Sequence, residues 1–232
     1  MVFAEELQGF NADDLVLVAV PRFFNEILAD FDARFHFIGF IPEGRDLIFE
    51  PWRPKNPREK PILVSSTTGM LPQIKFCELA VKAFANSPWN IVLSIAGAWD
   101  PISDLAPESL ALPSEFEVTR SSSNFEILKS ASLFVGQGGQ GSTLEAIYHA
   151  VPSLLVSPSQ FHDVAARRVA ELGLGIRVSL ADVSPKTLRE AAASLMSDDA
   201  VSARLKRARN YMLDHNGAQA AANLIQKHIG VA

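Results

Sequence analysis

The segment Phe134-Val-Gly-Gln-Gly-Gly-Gln-Gly-Ser-Thr-Leu-Glu-Ala-Ile-Tyr148 gathers four glycines, two hydroxyls and an acid within fifteen residues. A β-like run enters it, and a helical pattern opening with Ser142 and Thr143 leaves it. Glycines let a backbone come close to a ligand, while the unpaired amides and the dipole at a helix start favour an anion. A diphosphate suits that chemistry. Gly136, Gly138, Gly139 and Gly141 lack the G-x-G-x-x-G order of dinucleotide sites, and no Lys follows the last glycine as in a P-loop. Glycines alone fit equally well a turn that packs a helix onto its strand, with Ser142 as an ordinary N-cap.

Such a loop needs a strand behind it and a helix ahead. From Ile62 onward, strand-like runs alternate with helical patterns, as a parallel sheet with right-handed crossovers requires. The expected strands are 62–66, 91–96, 116–119, 133–135, 153–156 and 175–178. The expected helices are 71–86, 124–130, 142–150, 163–172, 185–196, 202–215 and 218–229. The near-continuous apolar runs Ile62-Leu-Val64 and Leu154-Leu-Val156 suit strands covered on both faces. The fold class is therefore α/β, a Rossmann-like doubly wound parallel sheet, in which ligands sit beyond the carboxyl ends of the strands.

Ahead of this domain, 15–20 and 35–39 read as two further strands. Pro51, Pro54, Pro57 and Pro61 then forbid both helix and central strand, marking a surface linker or flap. The expected division is a leader with proline-rich linker at 1–60 and a Rossmann-like domain at 61–232.

Hydrophobic residues at 48% against 20% charged, with no low-complexity tract, provide a sizeable core. A formal charge of −5 argues against a nucleic-acid binder. The basic cluster Arg204, Lys206, Arg207 and Arg209 alternates with Leu205, Ala208 and Met212 at helical spacing, as a solvated helix face does. Cys77 is the sole cysteine, so no internal disulfide forms. The longest apolar runs fall short of a membrane span, and no basic segment leads into an apolar one near Glu5 and Glu6, so the expected location is cytoplasmic.

The sequence from Gly136-Gln-Gly-Gly-Gln-Gly-Ser-Thr-Leu-Glu-Ala-Ile-Tyr-His-Ala-Val-Pro152 through Leu154-Leu-Val-Ser-Pro158 to Arg167-Arg-Val-Ala-Glu-Leu-Gly-Leu-Gly175 resembles the C-terminal domain of the GT-B glycosyltransferases of the macrolide type, which use nucleotide sugars. Phe31-Asp-Ala-Arg-Phe-His-Phe-Ile-Gly-Phe40, Ala83 to Leu93 and Asn216 to Ile225 extend the likeness over roughly residues 14 to 229. The resemblance implies a uridine or thymidine diphosphate sugar as donor substrate, with no cofactor and no metal. It implies diphosphate contacts from Gln137, Gly139, Gly141, Ser142 and Thr143, and a ribose contact from Glu145. The absence of an Asp-x-Asp element agrees with metal independence.

Four positions depart from the family pattern. Gln137 stands for a diphosphate-binding His, keeping a donor but losing the possible positive charge. The base-binding loop reads Arg120-Ser-Ser-Ser-Asn-Phe125, so Ser121 cannot stack on a base while Asn124 still offers an amide; Arg120 belongs to the same loop. The acidic-Gln pair that grips the donor sugar is replaced by Phe161-His-Asp163, leaving His162 and Asp163 for sugar hydroxyls. Thr67 and Thr68 stand where the family's first loop has Gly-Ser.

In the family a base from the N-terminal half deprotonates the acceptor hydroxyl, which attacks the anomeric carbon with inversion. Nothing before Leu15 could build that half, and His36 and His149 fall in a strand and at a helix end, so no catalytic residue is assigned. The expected function is donor binding for a hexosyltransferase whose acceptor domain is absent from the chain. An acceptor-domain polypeptide would be the partner, and the isolated chain would be inactive. Phe23, Phe24 and Phe31 would either dock that partner or cover the chain's own core. The competing readings are an interaction module that kept the fold and lost donor binding, and a nucleotide-sugar epimerase.

Overall fold

Runs of four or five residues with every side chain buried build the middle of a parallel sheet, because strands covered by helices on both faces have no polar side to show. The computed structural model describes residues 14–25, 32–42, 52–54, 59–66, 73–95, 112–119, 123–157 and 163–230. Its main sheet comprises β3 (Ile62–Ser65), β4 (Ile91–Ser94), β5 (Phe116–Thr119), β6 (Leu133–Gly136), β7 (Ser153–Ser157) and β8 (Gly175–Ser179), all parallel, in the order β5-β4-β3-β6-β7-β8. Strands β3, β4, β6 and β7 are buried throughout, whereas the edge strands β5 and β8 are partly open.

The crossovers are α1 (Gln73–Phe84) after β3, α2 (Asn124–Leu128) after β5, α3 (Gln140–Tyr148) after β6 and α4 (Asp163–Glu171) after β7. After β8 comes α5 (Pro185–Met196), followed by α6 (Asp199–Asp214) and α7 (Gly217–His228). Helix α1 packs against α5, and α2 against α3. This is the doubly wound arrangement expected. The chain winds outward from β3 to β5, then restarts on the other side of β3 with β6, so the strand order reverses between β3 and β6. Ligands of open α/β sheets bind at that reversal, beyond the carboxyl ends of the strands.

Helix starts follow local capping. Ser184 forms a capping box with Thr187, with Pro185 at the first helical position. Asp198 accepts the amides of Ala200 and Val201 at 2.8 and 3.0 Å, starting α6 three residues before the expected 202. Along α6, Leu205 is buried while Lys206, Arg207 and Arg209 are exposed as expected of a solvated face; Arg204, the fourth member of the basic cluster, is half-buried and donates through Nε to Gly173 O at 2.6 Å.

Contacts divide the chain into two compact units, Gly44–Arg209 and a second made of Met1–Glu43 with Asn210–Ala232. The second unit holds a parallel pair, β1 (Val16–Val18) with β2 (Phe35–Phe37), and a short 3-10 turn at Arg22–Phe24. Gly39, at φ +99°, lies so close to His215 that a Cβ would stand 2.8 Å from its carbonyl oxygen. The Gly217 amide donates to Phe40 O at 3.3 Å beside it. Phe24 is buried and Phe23 meets Tyr211 edge-on at 5.2 Å, so these two cover the chain's own core; Phe31 lies outside the described residues.

In the flap, the Trp52 indole N–H donates to Glu117 Oε1 of β5 at 3.2 Å. No helix among the described residues is long and apolar enough to cross a membrane.

Candidate functional site

Strand β6 ends at the reversal point, and the chain then makes a turn that aims a helix end outward. Gly138 takes φ +83°, a conformation that side chains other than glycine's resist. Gly139 is the N-cap of α3, at φ −61° and ψ 130°. The helix therefore starts at Gln140, two residues before the expected Ser142, because a glycine with extended backbone takes the cap that a serine was expected to fill. Ser142 is the third helical residue, and so is no N-cap.

The amides of Gln140, Gly141 and Ser142 precede the first intrahelical bond, which Thr143 N–H makes to Gly139 O at 3.1 Å. Gln140 and Gly141 are exposed and Ser142 is half-buried. The outer face of the helix start is thus open, with three donors and the positive end of a nine-residue dipole. Thr143 sits behind this face: its side chain is wholly buried and its hydroxyl donates to Gly139 O at 2.7 Å. It braces the turn. Gln137, 1% exposed, is likewise buried at the strand exit.

Glu145 lies one turn into α3 and is only 8% exposed, which sets aside an ordinary solvated helix acid. Its position follows from helical spacing, since residues three and four apart share a face.

Asn124 reaches the same end of the sheet from α2. Its amide group donates to Ser65 Oγ, at the end of β3, at 2.8 Å. One of the two N–H donors of the amide expected to face a base edge is therefore engaged, and the acceptor Oδ1 is buried with no hydrogen-bond partner among the described residues. Ser65, Ser94 and Thr119 stand in register across β3, β4 and β5, and Ser157 pairs with Ser179 across β7 and β8. Every strand of the main sheet except β6 therefore ends in a hydroxyl. The hydroxyls of Ser66 and Ser157, on residues 5% and 8% exposed, also have no hydrogen-bond partner among the described residues. They flank β6 on its two sides. The signal in the sequence was the recurrence of Ser or Thr at the last position of every strand-like run but the one that enters the glycine turn.

Asp163 opens α4, but its carboxylate is taken. Arg177 of β8 holds it through Nη2 at 2.9 Å and through Nε, and Arg167 approaches to 3.5 Å. The bond to Asp163 holds the Arg177 guanidinium above its ordinary range. Asp163, expected to contact the sugar, thus carries an ion pair with two cations. Arg177 was not anticipated, since nothing local ties it to a residue one helix away. Thr67, Thr68, Arg120, Ser121 and His162 lie outside the described residues.

His149 closes α3 with its ring 4.5 Å from that of Phe125. Burial first, then the charges of Lys129 and Arg209, push it down to about 4. Cys77, buried on α1, is pushed up to about 11 by burial. Among the described residues no group of three or more His, Cys, Asp or Glu could hold a metal ion.

The profile described as the erythromycin biosynthesis protein CIII-like C-terminal domain matches residues 102–226, more than half of the chain. The NDP-glycosyltransferase YjiC of Bacillus subtilis (strain 168) is 31% identical over 218 residues, covering 91% of this chain and 53% of that protein. Demethyllactenocin mycarosyltransferase of Streptomyces fradiae is 29% identical over 210 residues, 90% of this chain and 44% of its own. Among solved structures, the glycotransferase of kitacinnamycin superposes with a TM-score of 0.79 at 34% identity, over 91% of this chain and 54% of its own. The calicheamicin glycosyltransferase CalG4 gives 0.73 at 30%, over 93% and 52%. The chain spans about half the length of the curated relatives it matches. Its sheet, its reversal point and its sequence agree on one ancestry: the chain belongs to the erythromycin biosynthesis protein CIII-like C-terminal domain family, the C-terminal halves of GT-B glycosyltransferases.

Proposed function

We propose that this domain binds the donor, a uridine or thymidine diphosphate hexose, for a glycosyltransferase that moves the hexose to an acceptor hydroxyl with inversion. The observation that carries the reading is the open start of α3 at the sheet's reversal point, where the amides of Gln140, Gly141 and Ser142 precede the first intrahelical bond. Negative charge on two linked phosphates is met there by backbone dipoles. The Gly138 turn holds those dipoles in place before the ligand arrives, which favours the departing nucleoside diphosphate as charge develops on it. Glu145 accepts from the ribose hydroxyls, and Asn124 Oδ1 accepts from the base.

Relatives carry names such as NDP-glycosyltransferase and mycarosyltransferase, and structural neighbours include one solved with thymidine diphosphate, which supports the ligand class. The acceptor and the base that deprotonates it belong to a second, acceptor-binding half that works with this one. General-base catalysis needs that group within hydrogen-bond reach of the attacking hydroxyl.

Calorimetric titration with UDP, TDP and GDP tests the reading. Binding of UDP or TDP is expected, and silence from all three up to millimolar concentration would overturn it. Ser142→Asp places a carboxylate against the phosphates and should abolish that binding while the circular dichroism and the melting temperature stay near those of the parent. Unchanged affinity in this variant would move the site elsewhere.

A further inference from the structure

Strand β7 runs beside β6 with Gly136 opposite Leu155, so Ser157 lies two residues beyond the level at which β6 gives way to the glycine turn. Neighbouring parallel strands are about 4.8 Å apart, which sets Ser157 next to the turn that precedes α3. Its place is fixed by the ladder to β8, where its carbonyl also accepts the Leu180 amide at 3.1 Å. The residue is 8% exposed, and its hydroxyl finds no hydrogen-bond partner among the described residues.

A hydroxyl buried without a partner costs free energy, and such groups are rare without a reason. The reason available here is a ligand. Six residues further on, the acid that could have gripped a sugar is committed to Arg177 and Arg167. That leaves Ser157 as the polar side chain that β7 itself presents beside the turn.

Resting on the donor-binding reading above, we infer that Ser157 is a specificity-determining residue whose hydroxyl bonds a ring hydroxyl of the donor's hexose. A nucleoside diphosphate laid across the reversal point has its phosphates at α3, and Ser157 meets what extends from them on the β7 side. Serine can donate and accept, and a hexose hydroxyl can do both in return. Ser153 supplies an internal control: it is on the same strand, equally without a partner for its hydroxyl, but at the opposite end.

The test compares UDP-glucose with UDP, and TDP-glucose with TDP, by calorimetry on the 232-residue chain. Ser157→Ala should weaken the sugar nucleotide about three- to tenfold, the worth of one neutral hydrogen bond, and leave the free diphosphate within about twofold. Ser153→Ala should leave both within about twofold. Ser157→Thr and Ser157→Val, equal in shape and differing in the hydroxyl, should split the same way, Thr retaining the sugar preference and Val losing it. A loss shared equally by diphosphate and sugar nucleotide, or no loss, overturns the inference while the donor-binding reading stands. If the parent binds neither diphosphate, both fall together.

Discussion

At the scale of single residues, several groups that could do chemistry are held by the fold instead. His149 is the plainest case. Its ring lies against Phe125 and Tyr148, and its Nε2 is buried with no hydrogen-bond partner among the described residues. Burial and two nearby cations hold it neutral down to about 4, whereas an unfolded chain takes up the proton near 6.5. Between those values the unfolded state binds more protons, so stability present above 6.5 is lost as pH falls toward 4. The urea midpoint of the parent should therefore drop between pH 7 and pH 5, and His149→Gln should show a smaller drop across the same interval. An equal drop in both proteins would mean that other groups govern the acid limb. Thr143 and Asp163 tell the same story without titration, one tied to Gly139 and the other to Arg177. Ser142 and Ser157 are the contrasting residues, and Ser142→Asp and Ser157→Ala address them.

At the scale of elements, the connections between helices are made by side chains reaching terminal carbonyls. Arg189 of α5 donates through Nη2 to Ala85 O at 2.7 Å and through Nε to Ala83 O, both at the carboxyl end of α1. A cation there satisfies carbonyls that the helix leaves over and complements its dipole. Arg189→Met, which keeps the apolar stem, should cost about 1–2 kcal/mol in urea unfolding, since two partly buried acceptors lose a charged donor. A change below about 0.5 kcal/mol would show that water replaces the guanidinium at no cost. The elements themselves are largely legible in the sequence. Ile62-Leu-Val64 and Leu154-Leu-Val156 announce buried strands because no solvent-facing residue interrupts them. Ser184 with Pro185 announces a helix start for an equally local reason. The start of α3 is less legible: side-chain capping preference points to Ser142, when an extended glycine is enough. The pairing of β1 with β2 and the clamp of Arg177 on Asp163 join residues far apart in sequence, and no periodicity encodes a partner across such a gap. The unsatisfied serines were out of reach for a similar reason: the lack of a partner is a property of packing and leaves no mark in composition.

At the scale of the whole molecule, nucleotide binding should act on one compact unit. Saturating UDP or TDP should slow amide exchange across 137–143 and at the ends of β3 and β7, and leave 16–18 and 35–37 unchanged. At a hundred times Kd the ligand adds about 2.7 kcal/mol to the stability of the folded state. Uniform protection of every element would contradict the division. The two units differ in one further respect. Gly44–Arg209 is continuous, whereas the other is assembled from Met1–Glu43 and Asn210–Ala232. During synthesis the continuous body can collapse as soon as its own last residues leave the ribosome, since domains fold as units during translation. Residues 1–43 share their compact unit with residues 210–232, which are translated more than 160 residues later, so that unit is completed only once α7 emerges. That interval leaves the discontinuous unit unfinished while the continuous one is already folded, so crowded polysomes are where it would be most prone to mispair.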